Sequence, residues 1–192
     1  VLPVVPDRGS VGASGDLAPF AHLALPVIGE GWLVENDEAH PAHEVLARHG
    51  LEPLVLEPKE GLSLLNGTEG MLSFGVLASD RAHRILEAAD IACAMSIEAL
   101  LCSVRPLRPE IHALRPHPGQ ARSAARIRRL VEGSEIVASH RDDFIHAVQD
   151  AYSVRCAPQV HGAARDVSEY ADEVCERGGG AVGDNPIVGP AA

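Results

Sequence analysis

The chain's densest concentration of chemically suggestive residues is Gly9-Ser10-Val11-Gly12-Ala13-Ser14-Gly15-Asp16-Leu17-Ala18-Pro19, where small side chains crowd a single turn around one serine. A nucleophile elbow would require Gly-x-Ser-x-Gly. Here Ser14 is followed at once by Gly15 and then Asp16, so the second glycine comes one place too early and a serine hydrolase is excluded on spacing. A phosphate-binding loop would need a lysine after its glycines, or entry from a strand in the dinucleotide pattern, and neither is present. Ten histidines invite a metal, but no His-Glu-x-x-His or comparable ligand pair occurs, and His40 and His43 flank a proline. Cys93, Cys102, Cys156 and Cys175 form no Cys-x-x-Cys pair and read as reduced, buried thiols. Taken alone, the Gly9–Pro19 segment is also compatible with a plain capped turn, with serine or aspartate at the cap and glycines supplying tight geometry.

The elements that must position this turn are helical. Aromatic residues are only 3% of a chain that is 46% hydrophobic, so the core is aliphatic, as in helix bundles. Leu17, Phe20, Ala21, Ala24, Leu25 and Ile28 recur with helical period, so the glycine-rich turn is expected to feed the N-terminus of a helix over 16–28. Residues 30–60, rich in glycine and proline, read as a surface excursion around one short helix at 42–49. No proline interrupts 68–104. There Leu72, Val76, Leu86, Cys93, Ile97 and Val104 fall at helical steps, predicting one long helix or two nearly collinear ones. A basic helix is expected over 120–131 with its arginines on a solvated face. Another is expected over 159–177, ended by a flexible loop at Gly178-Gly179-Gly180. The fold class expected is all-α: a long-helix bundle with extended loops and the Ser14 turn at a helix N-terminus.

Three more segments, far apart in sequence, share a pattern with the first: Leu65-Asn66-Gly67-Thr68, then Gln149-Asp150-Ala151-Tyr152-Ser153-Val154-Arg155, then Asp184-Asn185-Pro186. Together with Gly9–Pro19 they resemble the aromatic amino acid ammonia-lyase family, over nearly the whole chain and including His117-Pro118-Gly119-Gln120. In that family the Ala-Ser-Gly turn forms an internal electrophile, methylidene-imidazolone. By resemblance, the Gly15 nitrogen would attack the Ala13 carbonyl, an approach no Cβ obstructs. Loss of one water closes the ring, and loss of the Ser14 hydroxyl as a second water leaves an electron-poor exocyclic methylene. A helix N-terminus behind the turn would stabilise electron density pushed into that ring, making it an electrophile-bearing loop. The resemblance further implies that Arg155 holds the substrate carboxylate as a bidentate fork. Tyr152 would donate to the ring oxygen or pass a proton, Gln149 would orient substrate, and Asn66 would lie beside electrophile and substrate. Residue by residue, blander readings exist: helix capping by Asn66 or Thr68, and a surface i,i+3 pair for Tyr152 and Arg155. The chain departs from the family where Gly183 stands in place of the usual threonine.

What the resemblance implies for function is a lyase that releases ammonia without oxidation. The run Arg155-Cys156-Ala157-Pro158-Gln159-Val160 resembles histidine-specific members, so the expected reaction converts L-histidine to trans-urocanate. A tyrosine or phenylalanine ammonia-lyase or an aminomutase remains an alternative, as does a non-catalytic helical interaction module using 68–104 as its surface. No metal or dissociable cofactor is expected. The resemblance implies a homotetramer whose sites combine several subunits. Val1 to Pro6 and Gly189 to Ala192 read as interior sequence, so residues 1–192 are expected to be the central fragment of one lyase domain, inactive alone and prone to associate. Sixteen basic against 27 acidic residues give a net charge of -11, which opposes a nucleic acid or an anionic membrane as partner. The absence of a long apolar run or leader pattern suits a soluble, cytoplasmic protein whose partner is a small amino acid.

Overall fold

A computed structural model describes residues 1–140 and 148–181. The chain divides into two compact units, the first built from residues 1–75 with 175–181, the second from Val76–Val174. The Asp184-Asn185-Pro186 segment and Gly183 lie outside the described residues.

In the first unit, strand β1 (Leu2–Pro3) leads through the glycine-rich turn into helix α1 (Leu17–Ala24). Pro26 has no N–H to continue the α-helical ladder, so the expected helix over 16–28 tightens into a 3-10 turn at Leu25–Ile28. Strands β2 (Trp32–Glu35) and β3 (Glu38–Pro41) follow as an antiparallel hairpin, with β1 pairing on the other edge of β2. These strands correct the reading of 30–60 as an excursion with one helix. Asn36 and Asp37 both take positive φ (53° and 66°), the conformation a two-residue hairpin turn demands. Helix α2 (Ala42–Arg48) packs on the hairpin and buries Ala42 and Val45 against Leu33. Glu35 clamps the end of α2, accepting from Arg48 Nη2 at 2.6 Å and lying 2.6 Å from His49 Nε2. Helix α3 (Glu60–Leu65) packs on α1, and Thr68 immediately precedes helix α4 (Glu69–Ala99).

Helix α4 is a single helix of 31 residues, as the unbroken periodicity predicts, but it stops short of 104. Leu101 enters the left-handed region (φ 54°) and Cys102 N–H bonds back to Ile97 O at 2.8 Å, a helix-ending pattern that satisfies the last carbonyls. Within the second unit, Ile97, Cys93 and Ala94 join Leu107, Ile127, Val131, Val137, Val154 and Ala157 in the main hydrophobic cluster. The cluster draws on α5 (Pro109–Ala113) only indirectly, through the 3-10 turn Arg105–Leu107 that precedes it. It draws directly on α6 (Pro118–Leu130), α7 (Glu135–Ser139), α8 (Tyr152–Arg155) and the first turn of α9 (Ala157–Gly179). Helix α9 passes through Gly178 and Gly179, two residues beyond the end expected from sequence.

Arg122, Arg128 and Arg129 are exposed, as expected of a solvated face on α6, whereas Arg126 is half-buried. Arg128 Nη1 donates to Leu107 O at 3.2 Å, Arg122 pairs with Glu169, and Arg126 Nε lies 3.8 Å from the fully buried Asp90. Cys93 and Cys102 are buried free thiols, and Cys156 and Cys175 are half-buried ones. Burial, reinforced by the charge of Asp90, pushes the Cys93 thiol up to about 11, which keeps it protonated and inert at neutral pH. Among the described residues, no helix is long and apolar enough to cross a membrane.

Candidate active site

The Ser14 turn is a closed loop. Val11 N–H donates to Gly15 O and Leu17 N–H to Val11 O, both at 3.3 Å, and Val11 and Asp16 form an isolated parallel bridge. Ala13, Ser14 and Gly15 therefore lie at the apex of a loop whose ends are tied together. Gly15 has φ 84°, and a Cβ there would sit 2.6 Å from Ser10 Oγ, so both the backbone and its surroundings favour glycine. Ala13 is exposed, whereas Ser14 and Gly15 are half-buried. Ser14 Oγ accepts from Asp16 N at 3.2 Å, the one side-chain capping contact that the bland turn reading anticipates here.

Asp16 does something the sequence did not reveal. Although it holds the N-cap position of α1, its side chain makes no cap bond to that helix. Its buried carboxylate accepts instead from Met71 N at 2.9 Å, on the first turn of α4. A carboxylate satisfying a free N–H at a helix N-terminus is favoured by hydrogen bonding and by the helix dipole. The glycine-rich turn is thereby pinned to the start of the helix that follows Asn66. Asn66 is the half-buried C-cap residue of α3, with its N–H bonded to Leu62 O at 3.0 Å. Ala13, Ser14, Gly15 and Asn66 thus all belong to the first unit.

Gln149, Tyr152 and Arg155 belong to the second. Gln149 is exposed. Its neighbour Asp150 accepts from Ser103 N at 2.8 Å, anchoring the stretch just before α8 to the loop after α4. Tyr152 opens α8 and is largely exposed, and the Arg155 guanidinium lies 5.0 Å from the centroid of its ring. The i,i+3 pairing anticipated as the bland reading is therefore present, as a cation–π contact. That contact leaves the guanidinium plane's hydrogen-bonding edge uncommitted. Among the described residues Arg155 Nε is buried without a hydrogen-bond partner. A buried charged donor left unpaired carries a desolvation penalty that an incoming carboxylate would relieve.

The resemblance extends to the whole chain when it is set beside known proteins. A family model described as aromatic amino acid lyase matches residues 1–192. The chain belongs to the aromatic amino acid lyase family. Among family members, the histidine ammonia-lyase of Anaeromyxobacter sp. (strain K) is 54% identical over 197 residues, covering 99% of this chain and 39% of that protein. The solved histidine ammonia-lyase of Trypanosoma cruzi is similar with TM-score 0.80 and 41% identity, covering 99% of this chain and 34% of that one. A tyrosine aminomutase from Streptomyces globisporus is similar with TM-score 0.84 and 35% identity, covering 100% and 39%. The chain thus spans about two fifths of the length of the curated family members it matches.

The family's His117-Pro118-Gly119-Gln120 segment has a structural explanation inside the second unit. His117 is the N-cap of α6 and Pro118 its first residue, where a missing N–H costs nothing. Gln120 donates to Nδ1 of the buried His112 at 2.9 Å, and His112 Nε2 faces Pro106 O at 2.9 Å, which assigns the ring a proton on Nε2. A cleft of about 260 Å³ beside this segment, lined by Pro109, His112, His117, Pro118 and Arg128 among others, includes none of the residues singled out for chemistry.

Proposed function

We propose that this segment, within a chain of its relatives' length, serves the elimination of ammonia from L-histidine to give trans-urocanate. The observation that carries the reading is the Arg155 guanidinium: half-buried, stacked on Tyr152, with a buried Nε that no described residue satisfies. An α-amino acid carboxylate matches that edge in charge and in fork geometry. The histidine assignment is supported by 54% identity to a histidine ammonia-lyase.

The loop suits the family's internal electrophile, since Gly15 holds positive φ and the turn is closed by Val11 and Leu17. Ala13, Ser14 and Gly15 would furnish methylidene-imidazolone, whose exocyclic carbon supplies an electron-poor acceptor that lets the amine leave. The remaining work falls to ordinary side chains. Arg155 binds the carboxylate. The Tyr152 hydroxyl can donate a hydrogen bond or relay a proton, and the Gln149 amide can fix substrate orientation, with Asn66 as a further polar contact. Asp16 holds the turn against α4 through Met71 N. Assembly into a homotetramer would cover the apolar side chains that α4 leaves bare, among them Met71, Phe74, Leu77, Ile85 and Met95. The 192-residue piece by itself is therefore expected to associate and to lack activity.

The test uses the full chain that carries this segment. Ultraviolet absorbance of the conjugated product should grow with L-histidine and not with L-tyrosine or L-phenylalanine. Ser14→Ala should abolish turnover and leave the peptide at its encoded mass, where the parent is lighter by two waters. Arg155→Ala should raise KM sharply, because a carboxylate partner contributes before chemistry. Normal turnover in Ser14→Ala, or an unchanged KM in Arg155→Ala, would refute the reading. The likeness to a tyrosine aminomutase keeps a second outcome in view: a β-amino acid product from L-tyrosine would assign the chain to that branch.

A further inference from the structure

Helices α6 and α9 touch backbone to backbone. A Cβ on Gly162 of α9 would lie 2.7 Å from the Gly119 carbonyl carbon, and nearer still to the Gln120 backbone. A Cβ on Gly119 would run into Gly162 O and come within 2.6 Å of Asp166 Oδ1. Neither helix can carry a side chain at this crossing. The obstructing atoms are mostly main chain, which cannot swing aside as a flexible side chain could.

Polar contacts lock the same crossing. Asp166, one turn along α9, accepts from Gly119 N at 2.7 Å and so caps α6 across the joint. Arg165 Nε donates to the fully buried Ser123 Oγ at 3.0 Å, and Arg122 pairs with Glu169. Toward α4, His161 Nδ1 lies 2.8 Å from Asp90 Oδ1 and Arg165 Nη2 lies 2.7 Å from Asp90 Oδ2. Residues 161, 162, 165, 166 and 169 recur at helical spacing along one face of α9, which is thereby held against both α4 and α6 with its axial position and its rotation set.

We infer that Gly119, Gly162 and Asp166 are positioning residues for the candidate carboxylate site, acting through α9 on Arg155. Arg155 ends α8, and Cys156 alone separates it from α9. The Cys156 carbonyl accepts from both Gln159 N and Val160 N, and Cys156 N–H bonds Tyr152 O at 3.0 Å, which couples α8 to the first turn of α9. Gly162 lies seven residues beyond Arg155, a span of about 10 Å at helical rise. Displacing α9 at the glycine crossing therefore displaces the guanidinium. Ordinary contact for a Cβ begins near 3.4 Å, so alanine at 162 must open the joint by roughly 1 Å. A displacement of that size at a group that orients a reactant costs on the order of a hundredfold in kcat/KM.

This inference rests on the assignment of Arg155 to the substrate carboxylate, and the experiment separates the two. In the full chain carrying this segment, KM and kcat are measured for Gly162→Ala, Asp166→Ala, Asp166→Asn and Arg155→Ala, together with the doubles Gly162→Ala/Arg155→Ala and Asp166→Ala/Arg155→Ala. Peptide mass is followed at Ala13-Ser14-Gly15. The expected result is a KM raised at least tenfold in Gly162→Ala and Asp166→Ala, with both waters still lost from the turn. Asp166→Asn, which keeps an acceptor for Gly119 N, should recover most of the loss. In each double variant the Arg155→Ala background should absorb the effect, leaving KM as in Arg155→Ala alone. A purely structural joint would instead add its own penalty on top. Additive effects in the doubles, or a wild-type KM in folded Gly162→Ala or Asp166→Ala, overturn the inference while leaving Arg155 in place. An unchanged KM in Arg155→Ala removes the reading beneath it. If Gly162→Ala does not fold, the Asp166 variants, which add no atoms to the crossing, decide the matter alone.

Discussion

Replacing Asp90 with alanine should be among the most damaging single changes in the second unit. Its carboxylate is fully buried yet carries a charge, and it faces Arg165 at 2.7 Å, His161 at 2.8 Å and Arg126 at 3.8 Å. The Arg165 side chain is itself only 14% exposed, so removing Asp90 strands a guanidinium that water reaches poorly. Breaking a buried ion pair on one side costs about 3–5 kcal/mol, because the surviving charge keeps its desolvation penalty and loses its compensation. The same logic makes the double replacement milder. In Asp90→Leu/Arg165→Met both charges are gone and similar volume remains. The residual loss is the Arg165 bond to Ser123 Oγ, about 1 kcal/mol, together with the Asp90 contacts of His161 and Arg126, which single and double variants lose alike, so the double is milder by the stranded Arg165 charge. Equilibrium urea denaturation followed by far-ultraviolet circular dichroism measures both, compared at constant m-value. A loss below about 1 kcal/mol for Asp90→Ala would contradict the argument. So would a double variant as unstable as the single.

Acid should loosen the contact between α4 and α9 through Asp172. The Ser79 hydroxyl first, and then His83 at 2.6 Å, hold its carboxyl below the ordinary value of 3.8. A depressed carboxyl stabilises the fold above its unfolded pKa and loses that contribution as pH falls through the folded one. Stability should therefore drop with acid below about pH 4, and Asp172→Asn should flatten that dependence in acid titrations monitored by circular dichroism; an unchanged slope would count against it. Asp16→Ala should cost about 0.5–2 kcal/mol by uncapping α4, with Asp16→Asn, which keeps an acceptor, costing clearly less in the same denaturation assay. Equal losses from both would show that the Met71 contact is not what matters. Gln120→Ala should cost about 1–3 kcal/mol, since the buried His112 Nδ1 loses its donor. A neutral result there would mean the imidazole finds another partner.

How much of this was legible in the residues depends on the range of the interaction involved. Helical periodicity is local, so the 31-residue helix α4 and the positions of α6 and α9 followed from spacing alone. The candidate site motifs are likewise contiguous runs, so Gly15, Asn66 and Arg155 are marked as candidates by the sequence alone. The β-hairpin was missed because its strands are four residues each, too short for alternation to stand out, although Asn36-Asp37 carried the turn signal. Helix α4 stopped early because Leu101 adopts a left-handed conformation, which a leucine does not advertise.

Other assignments needed the tertiary structure because they join residues distant in sequence. Asp16 looked like a cap for its own helix and instead serves α4, 55 residues away. Arg126 read as part of the solvated face of α6, and only the packing of α4 supplied the buried Asp90 beside it. Gly119 stood out only as part of the His117–Gln120 run and Gly162 not at all, because their role lies in the meeting of two helices. The one-dimensional order of side chains dictates period, turn chemistry and motif identity, since these are set by neighbours along the chain. Which buried charge finds which partner, and where two backbones touch, is set by the crossing of helices, and that follows from packing the entire core at once.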